Sequence, residues 1–264
     1  MCKSQFTFLP RPAALVRGCR WPGIAAAAAL AVLAASGAAA APATLELQLG
    51  GRVTQVEVTA PTGRREGAPA AVILAHGFTR SRATMAGHAV ALAREGIWAV
   101  APDLPYLVDS RDNALALRDL LEALRGGAAG TPLERFVLVG FSAGGLAAVL
   151  AADAPGVEGF IGLDPFDRPG GVGLEAARRL RVPAFLLRSP SAACNAYSIA
   201  EPWAAALPGL AEDRILADAS HCDFEAPTDR ICEFVCGPAD PARQAAVRDF
   251  LLDAVRRILA APRR

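Results

Sequence analysis

The chain has 264 residues, 53% of them hydrophobic and 20% charged, which suffices for one sizeable core and excludes a disordered, collagen-like or multi-span membrane chain. Its net charge is +1, but Lys3, Arg11, Arg17 and Arg20 stand in residues 1–41 with no acid, leaving 23 basic against 26 acidic residues beyond. That body lacks the basic excess of a nucleic-acid binder. With Lys3 as its sole lysine, the folded part cannot supply a Walker A loop, a protein-kinase site or a pyridoxal phosphate Schiff base.

Taken in chain order, the basic residues precede Ile24–Ala35, an apolar alanine-rich run, and the small residues Ser36–Ala41. This is the order of a secretory signal peptide with Ala-x-Ala cleavage near Ala40 or Ala41. We therefore expect residues 1–41 to be an export leader and 42–264 to be a single domain. Twelve alanine-rich residues are short for a membrane span. Thr44–Leu49 and Val53–Thr59 alternate and meet at Gly50-Gly51, which predicts a hairpin. Strands are expected at Ala70–Ala75, Ile97–Ala101, Phe136–Val139, Val157–Leu163, Ala184–Leu187 and Arg214–Leu216. Helices are expected at Arg82–Arg94, Asn113–Leu124, Ala143–Ala152, Leu174–Leu180, Trp203–Leu207 and Arg243–Leu259. Apolar strands each followed by a helix describe an α/β domain, with a mostly parallel central sheet, helices on both faces and an antiparallel N-terminal hairpin.

One pentapeptide carries chemistry. Gly140-Phe141-Ser142-Ala143-Gly144 lies between a strand and a helix. Small residues two positions to either side of Ser142 permit a sharp turn that lifts the hydroxyl clear of the sheet. A serine hydroxyl needs a base, and the chain has three histidines. His76 ends an early strand, and His88 sits inside a predicted helix as a packing or surface residue. His221 follows the last strand and is the candidate base. The acid should leave a strand end between Ser142 and His221. Asp164 and Asp167 are the candidates, Asp164 being nearer the strand. Backbone N–H groups of Ala143 and Phe78 are the expected oxyanion donors. Asp103, at another strand end, reads as structural.

Gly171-Val172-Gly173-Leu174-Glu175-Ala176 resembles a dinucleotide-binding fingerprint but follows a Pro-Gly loop rather than a strand. No His-Glu-x-x-His is present, so neither a cofactor nor a catalytic metal is expected. Beyond the leader remain Cys194, Cys222, Cys232 and Cys236. Four cysteines in an exported chain predict two disulfides in one of three connectivities, in preference to a zinc site. A Cys194–Cys222 bridge would stiffen the loop bearing His221.

These residues make the chain resemble the α/β-hydrolases over roughly residues 68–260, in particular the chlorophyllase-like and dienelactone-hydrolase-like secreted esterases. The resemblance rests on His76-Gly77-Phe78-Thr79, Gly140–Gly145, Leu163-Asp164-Pro165 and His221-Cys222-Asp223-Phe224. The order Ser, Asp, His is that of the α/β-hydrolase triad. In chlorophyllases the Asp-Pro aspartate is taken as the acid, which the resemblance transfers to Asp164. Chlorophyllases carry His and Arg where this chain has Phe141 and Ala143, and dienelactone hydrolases carry Cys in place of Ser142. The His-Gly-Phe-Thr segment is also similar to cutinase-like polyesterases. The resemblance implies a serine carboxylic-ester hydrolase acting on a small-molecule ester through an acyl-enzyme. Its rivals are an acyltransferase on the same residues and a non-catalytic protein that keeps the fold.

Overall fold

The structure, a computed structural model, describes residues 41–63 and 68–262. The expected leader lies outside the described residues except for Ala41. In chain order the elements are β1 (Ala43–Leu49), β2 (Arg52–Thr59), β3 (Ala70–Ala75), α1 (Ala86–Arg94), β4 (Trp98–Pro102), α2 (Ser110–Arg125), β5 (Arg135–Phe141), α3 (Ala143–Ala151), β6 (Val157–Leu163), α4 (Val172–Arg179), β7 (Ala184–Arg188), α5 (Pro202–Ala206), β8 (Leu210–Ile215), α6 (Arg230–Cys236) and α7 (Pro241–Ala260).

The strands form one eight-stranded sheet in the order β1-β2-β4-β3-β5-β6-β7-β8. β1 pairs antiparallel with β2, β2 antiparallel with β4, and all later pairings are parallel. The hairpin thus supplies the antiparallel edge. Apolar runs without alternation become strands buried on both faces. In β3, Ala71, Ile73 and Ala75 enter one core while Val72 and Leu74 enter the other. β5 divides likewise, Phe136 and Leu138 against Val137, Val139 and Phe141. α2, α3, α4 and α5 cover the first face, and α1 and α7 cover the second. The chain reverses direction across the sheet between β3 and β5, where open α/β sheets place their ligands at the carboxyl ends of the strands.

Boundaries shift where polar capping outweighs the apolar period. α2 starts at Ser110, three residues before its apolar pattern, because the Asp109 carboxylate accepts from the N–H groups of Arg111 and Asp112. Such a cap is worth about 1 kcal/mol. The segment 82–94 begins with a 3-10 turn over Arg82–Met85 before α1. β8 runs over Leu210–Ile215 rather than Arg214–Leu216. As an edge strand it carries charge, including Asp213, which pairs with Arg188 of β7 at 2.6 Å, so no apolar run marks it. α6 was not anticipated: it has seven residues, is capped by Asp229 and buries only Cys232.

Candidate active site

The sharp turn expected at the pentapeptide is present. Ser142 has φ 51° and ψ −123°, a conformation that L-residues rarely adopt, and it stands between β5 and α3. The turn is held from the neighbouring strand end. The Ser142 N–H donates to the Leu163 carbonyl at 3.1 Å, and the Ser142 carbonyl accepts from Phe166 N–H at 3.0 Å. The flanking glycines are required by close approach. A Cβ on Gly140 would lie 2.3 Å from the Gly144 carbonyl oxygen, and one on Gly144 would lie 2.3 Å from both the Ala75 and His76 carbonyl oxygens. Backbone cannot give way as a flexible side chain does. Gly144→Ala should therefore cost about 3 kcal/mol or more, checked as a lowered denaturant midpoint at unchanged m-value.

His221 and Asp164 meet although 57 residues apart: His221 Nδ1 lies 2.6 Å from Asp164 Oδ2. Asp164 follows β6 in a left-handed conformation, φ 42°. Its carboxylate also accepts from Ser189 N–H at 2.9 Å, Ser189 Oγ–H at 2.6 Å and Asn195 Nδ2 at 3.4 Å. An acceptor-only carboxylate with donors on both oxygens is fixed in direction. Ser189 and Asn195 were absent from the sequence reading. The one signal for Ser189 was its place directly after β7, the strand beside β6. Asp167, the other acid candidate, is engaged elsewhere. It accepts from Arg168, Gly173 and Leu174 N–H and from Trp203 Nε1 at 2.7–2.9 Å, which anchors the start of α4. Asp103 also serves structure, accepting from Arg82 N–H at 2.9 Å and pairing with its guanidinium.

The loop bearing His221 is tied down at alternate residues. His221 meets Asp164, Asp223 meets Arg243 at 2.7 Å, and Glu225 meets Arg80 at 2.6 Å. Asp223 and Glu225 are fully buried, and both are charge-paired, as burial demands. The Arg80 guanidinium is raised above its ordinary pKa chiefly by the hydrogen bonds it donates to Glu225. Phe141, where chlorophyllases have histidine, lays its ring 4.6 Å from the His221 imidazole.

The cysteines form two disulfides, Cys194–Cys236 and Cys222–Cys232. The Cys194–Cys222 bridge is therefore incorrect. The unanticipated α6 comes between the two loops, and each loop is bridged to that helix instead of to the other. The Cys222–Cys232 bridge still stiffens the loop bearing His221, because Cys222 adjoins it. Closing the 42-residue separation of Cys194 and Cys236 is worth about 4 kcal/mol in the chain-entropy account.

The other histidines are structural. The His76 Nε2 accepts from Leu104 N–H at 2.9 Å, so its Nδ1 carries the proton toward the Gly77 carbonyl at 2.8 Å. His88 Nε2 donates to the Phe224 carbonyl at 3.0 Å, beneath the His221 turn. Burial, the dominant cause for each, holds both pKa values below the usual histidine range. The unfolded chain, with histidines near pKa ~6.5, then binds protons that the folded state refuses. Stability should be full above about pH 6.5 and fall as the pH drops below it. Melting curves from pH 8 to pH 5 test this, and His88→Gln should make the decline shallower.

Ser142 faces two clefts. One, of about 320 Å³, is lined by Phe141, His221, Arg80 and α6; the other, of about 370 Å³, by Ala143, Phe166, Leu107 and Val108. Phe78, Ser142 and Cys194 line both. Ala143 is the first residue of α3, so its N–H is one of the helix's orphan donors. Gly77 lets the Phe78 loop approach the Ser142 turn, since a Cβ there would lie 3.2 Å from that of Ser142.

Residues 72–262 match the model of the Alpha/beta hydrolase family. No curated protein matches the chain. Among solved structures, the dienelactone hydrolase of Anabaena variabilis superposes with a TM-score of 0.63 at 18% identity, over 82% of this chain and 98% of that one. Esterase 2 of Thermogutta terrifontis, in a form phosphoramylated by tabun, gives 0.65 at 16% identity, over 84% and 97%. A serine hydrolase without lid from Xanthomonas campestris gives 0.61 at 19% identity, over 84% and 97%. These likenesses concern the fold. The matched span takes in Ser142, Asp164 and His221 together, and the chain belongs to the α/β hydrolase family.

Proposed function

We propose that the protein is a serine carboxylic-ester hydrolase that works through an acyl-enzyme, with Ser142 as nucleophile, His221 as base and Asp164 as the acid that orients it. The observation that carries this is the 2.6 Å contact of His221 Nδ1 with Asp164 Oδ2, in a cleft that Ser142 shares. With Nδ1–H given to the carboxylate, Nε2 keeps the lone pair that can take the Ser142 proton. Ser142 Oγ attacks the ester carbonyl, and the oxyanion is held by the N–H groups of Ala143 and Phe78. His221 then gives its proton to the departing alcohol, and afterwards deprotonates water to release the acid. Neutral small-molecule esters are the substrate class to which the largely apolar clefts are suited. The esterase and hydrolase names of the structural neighbours support the same reading.

We further infer that residues 1–41 are a cleaved export leader and 42–264 the working domain. Two disulfides suit an oxidising compartment. Among the described residues, no helix is long and apolar enough to cross a membrane. A fluorophosphonate should label Ser142 and abolish turnover of p-nitrophenyl butyrate. Failure to label would favour a non-catalytic protein. Ester exchange outrunning hydrolysis when an alcohol is added would make it an acyltransferase.

A further inference from the structure

Resting on the esterase reading, we propose that α6 is the docking face by which the enzyme settles on a condensed ester phase, the surface of a neutral-lipid droplet, and not only a wall for dissolved substrate. Ile231, Phe234 and Val235 are 72%, 92% and 66% exposed. Their spacing puts all three on one side of the helix. Cys232 and Cys236 lie on the flank of the helix that borders the Ser142 cleft, each in a disulfide. An apolar helix face turned to solvent and covalently fastened there marks an interaction surface.

Position identifies what covers it. Ile231 and Val235 line the cleft that holds Ser142 and His221, so the apolar face continues into the site. Across Ser142, the exposed Phe78, Leu107 and Val108 line the second cleft, which makes the rim apolar on both sides. Phe234 decides between a dissolved ester and a surface. It is the most exposed of these side chains and lines neither cleft. A single molecule in the cleft would leave it in water, whereas a flat phase resting on the rim covers it together with Ile231. Charge selects a neutral phase. Arg80 is paired with Glu225 and Asp229, Arg168 lines the second cleft, and α6 carries Arg230 and Glu233, so these cations are matched in number by acids and give no cationic excess for anionic headgroups. The two staples fix the face before contact, so little ordering is left to do on docking.

The experiment follows hydrolysis of tributyrin through its solubility limit, with wild type and Phe234→Ser. The wild-type rate should rise sharply once droplets appear. Phe234→Ser should keep the dissolved-substrate rate within about twofold but lose roughly tenfold on droplets, in line with the apolar area removed. It should also no longer co-fractionate with the droplets. A rate curve without a break, identical in the two proteins, would overturn the proposal. So would light scattering that shows a wild-type dimer split by Phe234→Ser, because the face would then belong to a second copy. If neither protein hydrolyses dissolved tributyrin, the esterase reading fails; droplet co-fractionation, lost in Phe234→Ser, would still support docking, and its absence from wild type would overturn it.

Discussion

Replacing Ser142 with alanine is expected to lower kcat on p-nitrophenyl butyrate by about 10⁴- to 10⁶-fold while the protein stays folded. Under the proposed mechanism the loss is large because serine, imidazole and carboxylate act as a unit, leaving only the two N–H donors and substrate binding to assist water. Stability should move little, since alanine keeps the Cβ and inherits the same strained φ of 51°. Ser142→Gly offers a control with the opposite sign. It removes the same hydroxyl, yet glycine accepts this conformation freely, where an L-residue gives up about 1–3 kcal/mol. The glycine variant should therefore be as inactive as the alanine variant and melt no lower. A fall of less than about tenfold in kcat from Ser142→Ala would remove the serine from the mechanism.

The two aspartates near the end of β6 should respond to asparagine in opposite ways. Asp164→Asn should reduce kcat by about 10³- to 10⁴-fold. An amide has one acceptor oxygen where the carboxylate has two, and the carboxylate serves donors from His221, Ser189 and Asn195. If the amide NH₂ turns toward Nδ1, the imidazole is driven to the tautomer that holds its proton on Nε2, and it can no longer take one from Ser142. Asp167→Asn should leave kcat within about tenfold and lower stability by about 3 kcal/mol. Its carboxylate serves the first N–H groups of α4 and the indole of the fully buried Trp203, and charged hydrogen bonds count about 1.5–3 kcal/mol each. Steady-state kinetics and thermal melting on the same two variants separate the roles. The reverse outcome would exchange them.

Much of the architecture could be read from residue order because apolar runs report burial directly. Val157–Leu163 needed no correction, and the hairpin at Gly50-Gly51 and the later strands followed the same logic. β8 escaped because an edge strand is free to be charged, and Glu212, Asp213 and Arg214 conceal it. α6 escaped for a different reason: its apolar residues face solvent, so helix, staples and exposed face look like a loop until the fold brings the cysteines together. The same blindness produced the mistaken Cys194–Cys222 pairing, since spacing along the chain does not say which loops a short helix will separate. Around Asp164, the carboxylate was legible as a strand-end residue before proline. Its supports, Ser189 and Asn195, were not. Each makes its contact across a strand crossover, and a hydroxyl or amide has no sequence pattern of its own.

The tie between Asp223 and the start of α7 makes the placement of the imidazole depend on a distant helix. Asp223 receives the Asp240 N–H at 2.7 Å as well as the Arg243 guanidinium, so the loop bearing His221 is braced by the first turn of α7. Fraying of that turn would release the loop while leaving Ser142 and Asp164 untouched.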